Sequence, residues 1–221
     1  MITGGVCSSM NLRKANSNML PKVMNGCLFF FQEFLKHPFQ IGSVIPSSQA
    51  LIRRVVETAR VNEANTIVEL GPGTGCTTKA ILENMKPDAK LLSIEINPNF
   101  YSIISEISDE RLIAHLGDAR KLKIILKEHN LEAPEAVISG IPFSTMSDEC
   151  GSQIIKAIHE VLVPGGRFVA YQLSKKVIDL CSPVMGQEKV QLELFNIPPM
   201  RVCYWEKGNG NGTGHKGRSS A

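Results

Sequence analysis

Three carboxylates carry the most chemical information in this 221-residue chain: Glu69, Glu95 and Asp118. Each closes or directly follows an apolar, β-rich run. Glu69 precedes a loop of spacing G-x-G-x-G, made by Gly71, Pro72, Gly73, Thr74 and Gly75. Glycines allow a tight turn and let a ligand approach the backbone closely. The nicotinamide-dinucleotide fingerprint needs G-x-G-x-x-G, and its third glycine would fall on Cys76. A nucleotide-phosphate loop would continue into Gly-Lys-Ser/Thr, which is missing here. An acid two residues before the first glycine suits a cationic or hydrogen-bond-donating ligand better than a pyrophosphate. S-adenosylmethionine (SAM), with its ammonium and sulfonium, fits that charge logic. Glu95, in Glu95-Ile96-Asn97, can accept both hydroxyls of a ribose, a feature shared with dinucleotide enzymes. Asp118, in Gly117-Asp118-Ala119, can accept from an adenine amino group, although the same residue also reads as a helix cap. Three acids at three successive strand ends form one line shaped for a nucleoside.

The elements that must hold this line follow from hydrophobic patterning. Strands are expected at 66–70, 90–95, 111–115, 136–139 and 166–173, alternating with helices at 76–85, 98–107, 119–127 and 147–162. Repeated βα units predict an α/β fold, a Rossmann-like and mostly parallel sheet with helices on both faces. Two further strands, 190–196 and 201–206, read as an antiparallel hairpin closing a seven-stranded sheet. Ahead of this domain (66–207) lie a polar arm at 1–20 and a helical segment at 21–65. That segment contains one helix at 22–37, a loop holding Ser43, and a second helix capped by Ser47 or Ser48 and running to about Arg60. Residues 208–221 form a Gly/Asn/Ser tail whose composition cannot offset the entropy of ordering.

Composition narrows the function classes. Charged residues are 20% and the net charge is +3, whereas nucleic-acid binders often carry a stronger basic excess. No nucleic-acid partner is therefore expected. Seven Lys and Arg against two Glu within residues 1–60 point to an anionic partner, such as a membrane surface, for that end. The six cysteines show no metal-ligand spacing, so no metal is expected, and free thiols in a reducing cytoplasm are the simplest reading. No apolar run approaches the roughly 20 residues of a membrane-spanning helix. Contact with a membrane would be peripheral, at its inner face. Phe29, Phe30, Phe31 and Phe34 with Lys22 and Lys36 could make 22–37 an interfacial helix.

The run Val68-Glu69-Leu70-Gly71-Pro72-Gly73-Thr74-Gly75, followed by Ser93-Ile94-Glu95-Ile96-Asn97 and by Gly117-Asp118-Ala119, resembles class I SAM-dependent methyltransferases. That resemblance implies Glu69 and the loop glycines around the SAM amino-acid part, Glu95 on the ribose and Asp118 near the adenine. Three further stretches are similar to bacterial phospholipid N-methyltransferases: Phe34-Leu35-Lys36-His37-Pro38 with Ile41-Gly42-Ser43-Val44-Ile45-Pro46-Ser47-Ser48, the run Ser139-Gly140-Ile141-Pro142-Phe143, and Asn196-Ile197-Pro198-Pro199-Met200-Arg201-Val202. This second resemblance implies methyl transfer to the amine of a head group such as phosphatidylethanolamine.

Methyl transfer to an amine needs positioning more than covalent help. Ser139, Gly140, Ile141, Pro142 and Phe143 are the expected wall beside the reacting methyl, with Phe143 offering a π-face to a methylated ammonium. Arg201 is the expected phosphate partner, with Tyr171, Tyr204 and Ser43 as further substrate contacts. The main rival is adenine-N6 methylation of ribosomal RNA, whose enzymes carry Asn-x-Pro-Tyr/Phe at the fourth strand end. Glycine stands at that Asn place here. A small-molecule N- or O-methyltransferase is the third reading, and a SAM-binding module without turnover the fourth.

Overall fold

A computed structural model of the chain describes residues 49–193 and 200–208. The expected arm, the helix at 22–37, Ser43, the Ser47/Ser48 cap and the tail from 209 lie outside the described residues. Seven strands form one sheet: β1 (Thr66–Leu70), β2 (Lys90–Glu95), β3 (Leu112–Leu116), β4 (Ala136–Ser139), β5 (Arg167–Gln172), β6 (Lys189–Glu193) and β7 (Met200–Glu206). Their order is β3-β2-β1-β4-β5-β7-β6. The first five are mutually parallel, while β7 runs antiparallel to both β5 and β6. Strand order reverses between β1 and β4, so the crevice outside their carboxyl ends is the topological switch point where α/β sheets bind ligands.

Alternation along β1 explains the two cores. Ile67 belongs to one buried cluster, and Val68 and Leu70 belong to the other. The first cluster lies under α1 (Gln49–Thr58) and α2 (Cys76–Asn84), through Leu51, Val55, Ile81 and Leu82. The second lies under α4 (Leu122–Glu128), α5 (Asp148–Val161) and α6 (Lys176–Met185). The remaining helix, α3 (Pro98–Ser105), buries Ile104. Helix α5 shows why such segments are helical. Cys150, Ile154, Ile158 and Val161 recur on one buried face. The Ser147 hydroxyl accepts the Cys150 N–H, and Asp148 and Glu149 complement the positive helix start. At the other end, the Lys207 ammonium donates to the His159 and Leu162 carbonyls, both at 2.7 Å. Trp205, the sole tryptophan, is buried on β7 and stacks on Phe168 with ring centroids 5.4 Å apart.

Several expectations shift. Helix α6 falls in a stretch left unassigned by patterning. The expected third helix is split into a 3-10 turn at Ala119–Lys121 and α4. The penultimate strand is described over Lys189–Glu193, starting one residue before the expected 190, and residues 194–196 lie outside the described residues. Cys76, Cys181 and Cys203 carry free thiols, but Cys150 is disulfide-bonded, which departs from an all-thiol chain. Among the described residues no helix is long and apolar enough to cross a membrane, and no group of three or more His, Cys, Asp or Glu could hold a metal ion.

Candidate active site

The glycine loop is pinned at both sides. The Gly71 N–H donates to the Ile94 carbonyl at the end of β2, and the Gly140 N–H donates to Leu70 at the end of β1, both at 2.9 Å. Gly71, Gly73 and Gly75 all adopt left-handed φ, at 70°, 58° and 81°, a region costly for side-chain-bearing residues. A Cβ at Gly75 would stand 2.9 Å from Ile104 Cδ1, so this turn also needs the closeness of α3. At Gly73 a Cβ would meet nothing within 4 Å. The loop centre is an open cradle that a ligand can fill.

Glu69 lies under this cradle, 1% exposed. Its Oε2 accepts from the hydroxyls of Thr78 (2.7 Å) and Ser93 (2.9 Å), while its Oε1 is buried without a partner among the described residues. Burial pushes its carboxyl up to about 7, and the nearby Glu95 adds to the rise. Glu95 is equally buried. Its Oε1 accepts from the backbone N–H groups of Ile96 and Asn97 at 2.8 and 2.9 Å, and its Oε2 accepts from Gly73 at 3.3 Å. Burial raises its pKa too, against those hydrogen bonds. Two buried carboxylates, one with an unused oxygen, favour a cationic, donor-rich ligand. Asp118 caps the turn after β3, accepting the Arg120 N–H at 2.9 Å, so its cap reading holds.

One cavity joins these parts. Its lining includes Gly71, Glu95, Ile96, Gly117, Asp118 and Ala119 together with Ile141, Thr145, Met146, Cys150 and Ile154. Six of the expected cofactor residues thus share one cavity, while Glu69, Gly73 and Asn97 do not line it. Pro72, Thr74 and Gly75 shape the loop, with Gly75 N–H closing on the Pro72 carbonyl. Asn97 caps α3 through its side chain.

The expected transfer wall is only partly present. Ile141 lines the cavity. Ser139 is fully buried, and its hydroxyl accepts the Ile141 N–H at 3.2 Å; it shapes the turn. Pro142 leads into a 3-10 turn at Phe143–Thr145. That turn rotates Phe143 into the core, where it is 0% exposed. Its expected π-face is therefore spent on packing, and Thr145 and Met146 face the cavity instead. Gly140 is under close contact: a Cβ there would lie 2.7 Å from the Tyr171 hydroxyl and 2.8 Å from the Gly71 carbonyl. Tyr171 in turn meets the Thr77 hydroxyl at 3.2 Å, and burial, helped by Glu69, pushes its phenol up to about 12. It supports the loop from below.

Register separates the other two substrate candidates. Arg201 pairs with Gln172 at the carboxyl edge of β5 and donates to the Leu173 carbonyl at 2.9 Å. Tyr204 pairs with Val169, deeper in the sheet, and its ring is covered by Arg167 and Lys189 at 5.0 and 5.6 Å. The structure does not bring Tyr204 to the site. Sequence reasoning missed Gln172, 7% exposed, whose amide donates to the Ile141 carbonyl at 3.0 Å. Its only sequence signal is a polar residue ending an apolar strand.

A reversed-hairpin seven-stranded sheet, an open glycine cradle and acids at three successive strand ends define a class I SAM-dependent methyltransferase. SAM is its cofactor, and the cradle and the orphaned Glu69 oxygen fit that ligand's cationic amino-acid part. Residues 35–179 match the sequence model of the family described as ribosomal RNA adenine dimethylase, and the chain belongs to that family. It is 33% identical over 147 residues to an ornithine lipid N-methyltransferase of Singulisphaera acidiphila, spanning 66% of this chain and 77% of that one. It is 32% identical over 95 residues to ribosomal RNA small subunit methyltransferase A of Caulobacter vibrioides, spanning 42% of this chain but only 34% of that one. Among solved structures, NodS, an N-methyltransferase from Bradyrhizobium japonicum, holds S-adenosylhomocysteine and superposes with a TM-score of 0.59 at 12% identity, covering 80% and 98% of the two chains. An O-methyltransferase from Bacillus cereus gives 0.60 at 10%, covering 81% and 91%. At such identities these two bear on the fold alone.

Proposed function

We propose that this enzyme methylates the amine of a polar-lipid head group, of the ornithine-lipid or phosphatidylethanolamine kind. The observation that carries the reading is the crowding at Gly140. A Cβ there would sit well inside contact distance of a backbone carbonyl and a supported tyrosine hydroxyl. The Asn that grips the base amino group in adenine-N6 methyltransferases has no room at this position. Identity to the ornithine lipid enzyme, over most of that protein's length, supports the same reading.

When bound, SAM supplies a methyl group activated by sulfonium. The amine attacks as its neutral form, so the acceptor must lose a proton before the N–C bond forms and the S–C bond breaks. The chain's contribution is to hold that amine in line. Ile141 stands in the cavity wall with its carbonyl fixed by Gln172, and backbone carbonyls of this turn are the proposed acceptors for amine N–H groups. Arg201 on β7, beside the carboxyl edge of β5, is the proposed partner for the anionic part of a phospholipid, with donors left beyond the one given to Leu173.

The full chain is incubated with labelled SAM and either total lipid or total RNA. Label entering the chloroform phase is expected; label recovered in RNA would overturn the reading in favour of the family's adenine chemistry. Separate vesicles of phosphatidylethanolamine and of ornithine lipid then distinguish the acceptors. Arg201→Ala is expected to slow turnover of the phosphate-bearing lipid by about tenfold while sparing SAM affinity. Unchanged kinetics would reject its phosphate role. Association with anionic vesicles that weakens with salt belongs to the same proposal, with residues 22–37 as the contact.

A further inference from the structure

The geometry points to Arg120 as the positioning residue that sets nucleobase recognition, by locking Asp118 as a hydrogen-bond acceptor in the cofactor cavity. This rests on the reading of Asp118 as the adenine partner.

Asp118 lines the cavity and Arg120 does not. The guanidinium grips the carboxylate from outside. Its Nε lies 3.1 Å from Oδ1 and 2.9 Å from Oδ2, and its Nη2 lies 2.5 Å from Oδ2. The Arg120 backbone N–H adds a 2.9 Å bond to Oδ1. The fork is anchored in turn, because Nη1 donates to Gln153 Oε1 on α5 at 3.3 Å. Both partners are largely shielded, with side chains 21% and 14% exposed. Cys150 and Ile154 of the cavity lining belong to the helix that carries Gln153. Arg120 therefore ties the β3 turn to α5, a helix that also lines the cavity.

Two consequences follow from the chemistry of the pair. A bidentate guanidinium fixes the plane of a carboxylate, which a point charge does not. It also keeps donors on the group's outer side, and a carboxylate so paired only accepts hydrogen bonds. The acceptor capacity that Arg120 leaves on Asp118, a residue of the cavity lining, then selects a base with an amino group at its 6-position. A 6-oxo base presents an oxygen there and leaves two acceptors opposed.

The test compares calorimetric affinities for S-adenosylhomocysteine and S-inosylhomocysteine, which differ by that amino-to-oxo change and the N1 proton that accompanies it. The unmodified chain is expected to prefer the adenosyl compound by at least about tenfold. Arg120→Ala should shrink that ratio to near unity, Arg120→Lys should leave it intermediate, and Gln153→Ala should lower it slightly. A ratio unchanged in Arg120→Ala, or equal losses for both compounds, would overturn the proposal. Should the alanine variant not fold, an unchanged ratio in Arg120→Lys and Gln153→Ala overturns it equally. Asp118→Asn separates the two ideas. If that variant keeps full discrimination, the adenine assignment is wrong and the Arg120 role goes with it. If it loses discrimination while the Arg120 variants keep theirs, only the Arg120 role fails.

Discussion

Glu69 behaves unlike a surface carboxylate because burial outweighs its two hydroxyl donors. Its folded pKa, about 7, lies above an ordinary 4.5. The sign is then fixed: this group favours the folded, ligand-free protein most below its unfolded value, and that contribution is lost as pH rises through about 7. Ligand-free protein should lose thermal stability between pH 5 and pH 8, and Glu69→Gln should flatten that slope. A cationic ligand reverses the preference, so SAM binding near pH 7 should release protons. Calorimetry in two buffers of different ionisation enthalpy measures this release. No release in the unmodified chain, or equal release in Glu69→Gln, would contradict the assignment. The acid's position before the glycines was legible from residue types. The misplacement of Phe143 was not, because a residue following a strand end can turn either way, and only the 3-10 turn at Phe143–Thr145 decides it.

Among the elements, α5 shows how a distant residue completes a helix. Helices leave their last carbonyls without intrahelical donors, and Lys207, just past β7, supplies a cation to two of them. Lys207→Met keeps the aliphatic stem and removes the donor, and should cost about 1 kcal/mol, read by urea denaturation. An unchanged midpoint would show that solvent serves those carbonyls equally well. Patterning found the five parallel strands because most of their residues are apolar, as suits strands covered by helices on both faces. It missed α6, where Pro183 interrupts the helical pattern and a Ser/Lys start obscures the boundary. It ranked Arg201 above Tyr204 but could not place either against the sheet edge. Both lie on β7, and only the antiparallel register with β5 shows which one reaches the carboxyl edge. Gln172 was illegible for a similar reason, since its partner is a backbone carbonyl 31 positions earlier.

For the whole molecule, the cavity lies between segments far apart in sequence, with β2, α5 and the turns that follow β1, β3 and β4 all contributing lining. Ligand that binds only the folded state stabilises all of them together. At a hundredfold excess over its dissociation constant, S-adenosylhomocysteine should add about 2.7 kcal/mol. For a chain of this size that is roughly 5–10 °C in melting temperature. A shift confined to part of the transition would mean that the sheet is not one cooperative unit. The means of watching this is built into β7. Trp205, the single indole of the chain, is sealed against Phe168 and does not line the ligand cavity. Its emission should stay blue-shifted while ligand comes and goes, and move to the red only when the sheet itself opens. The protein thus carries an intrinsic fluorophore that separates loss of structure from loss of occupancy, with no added dye.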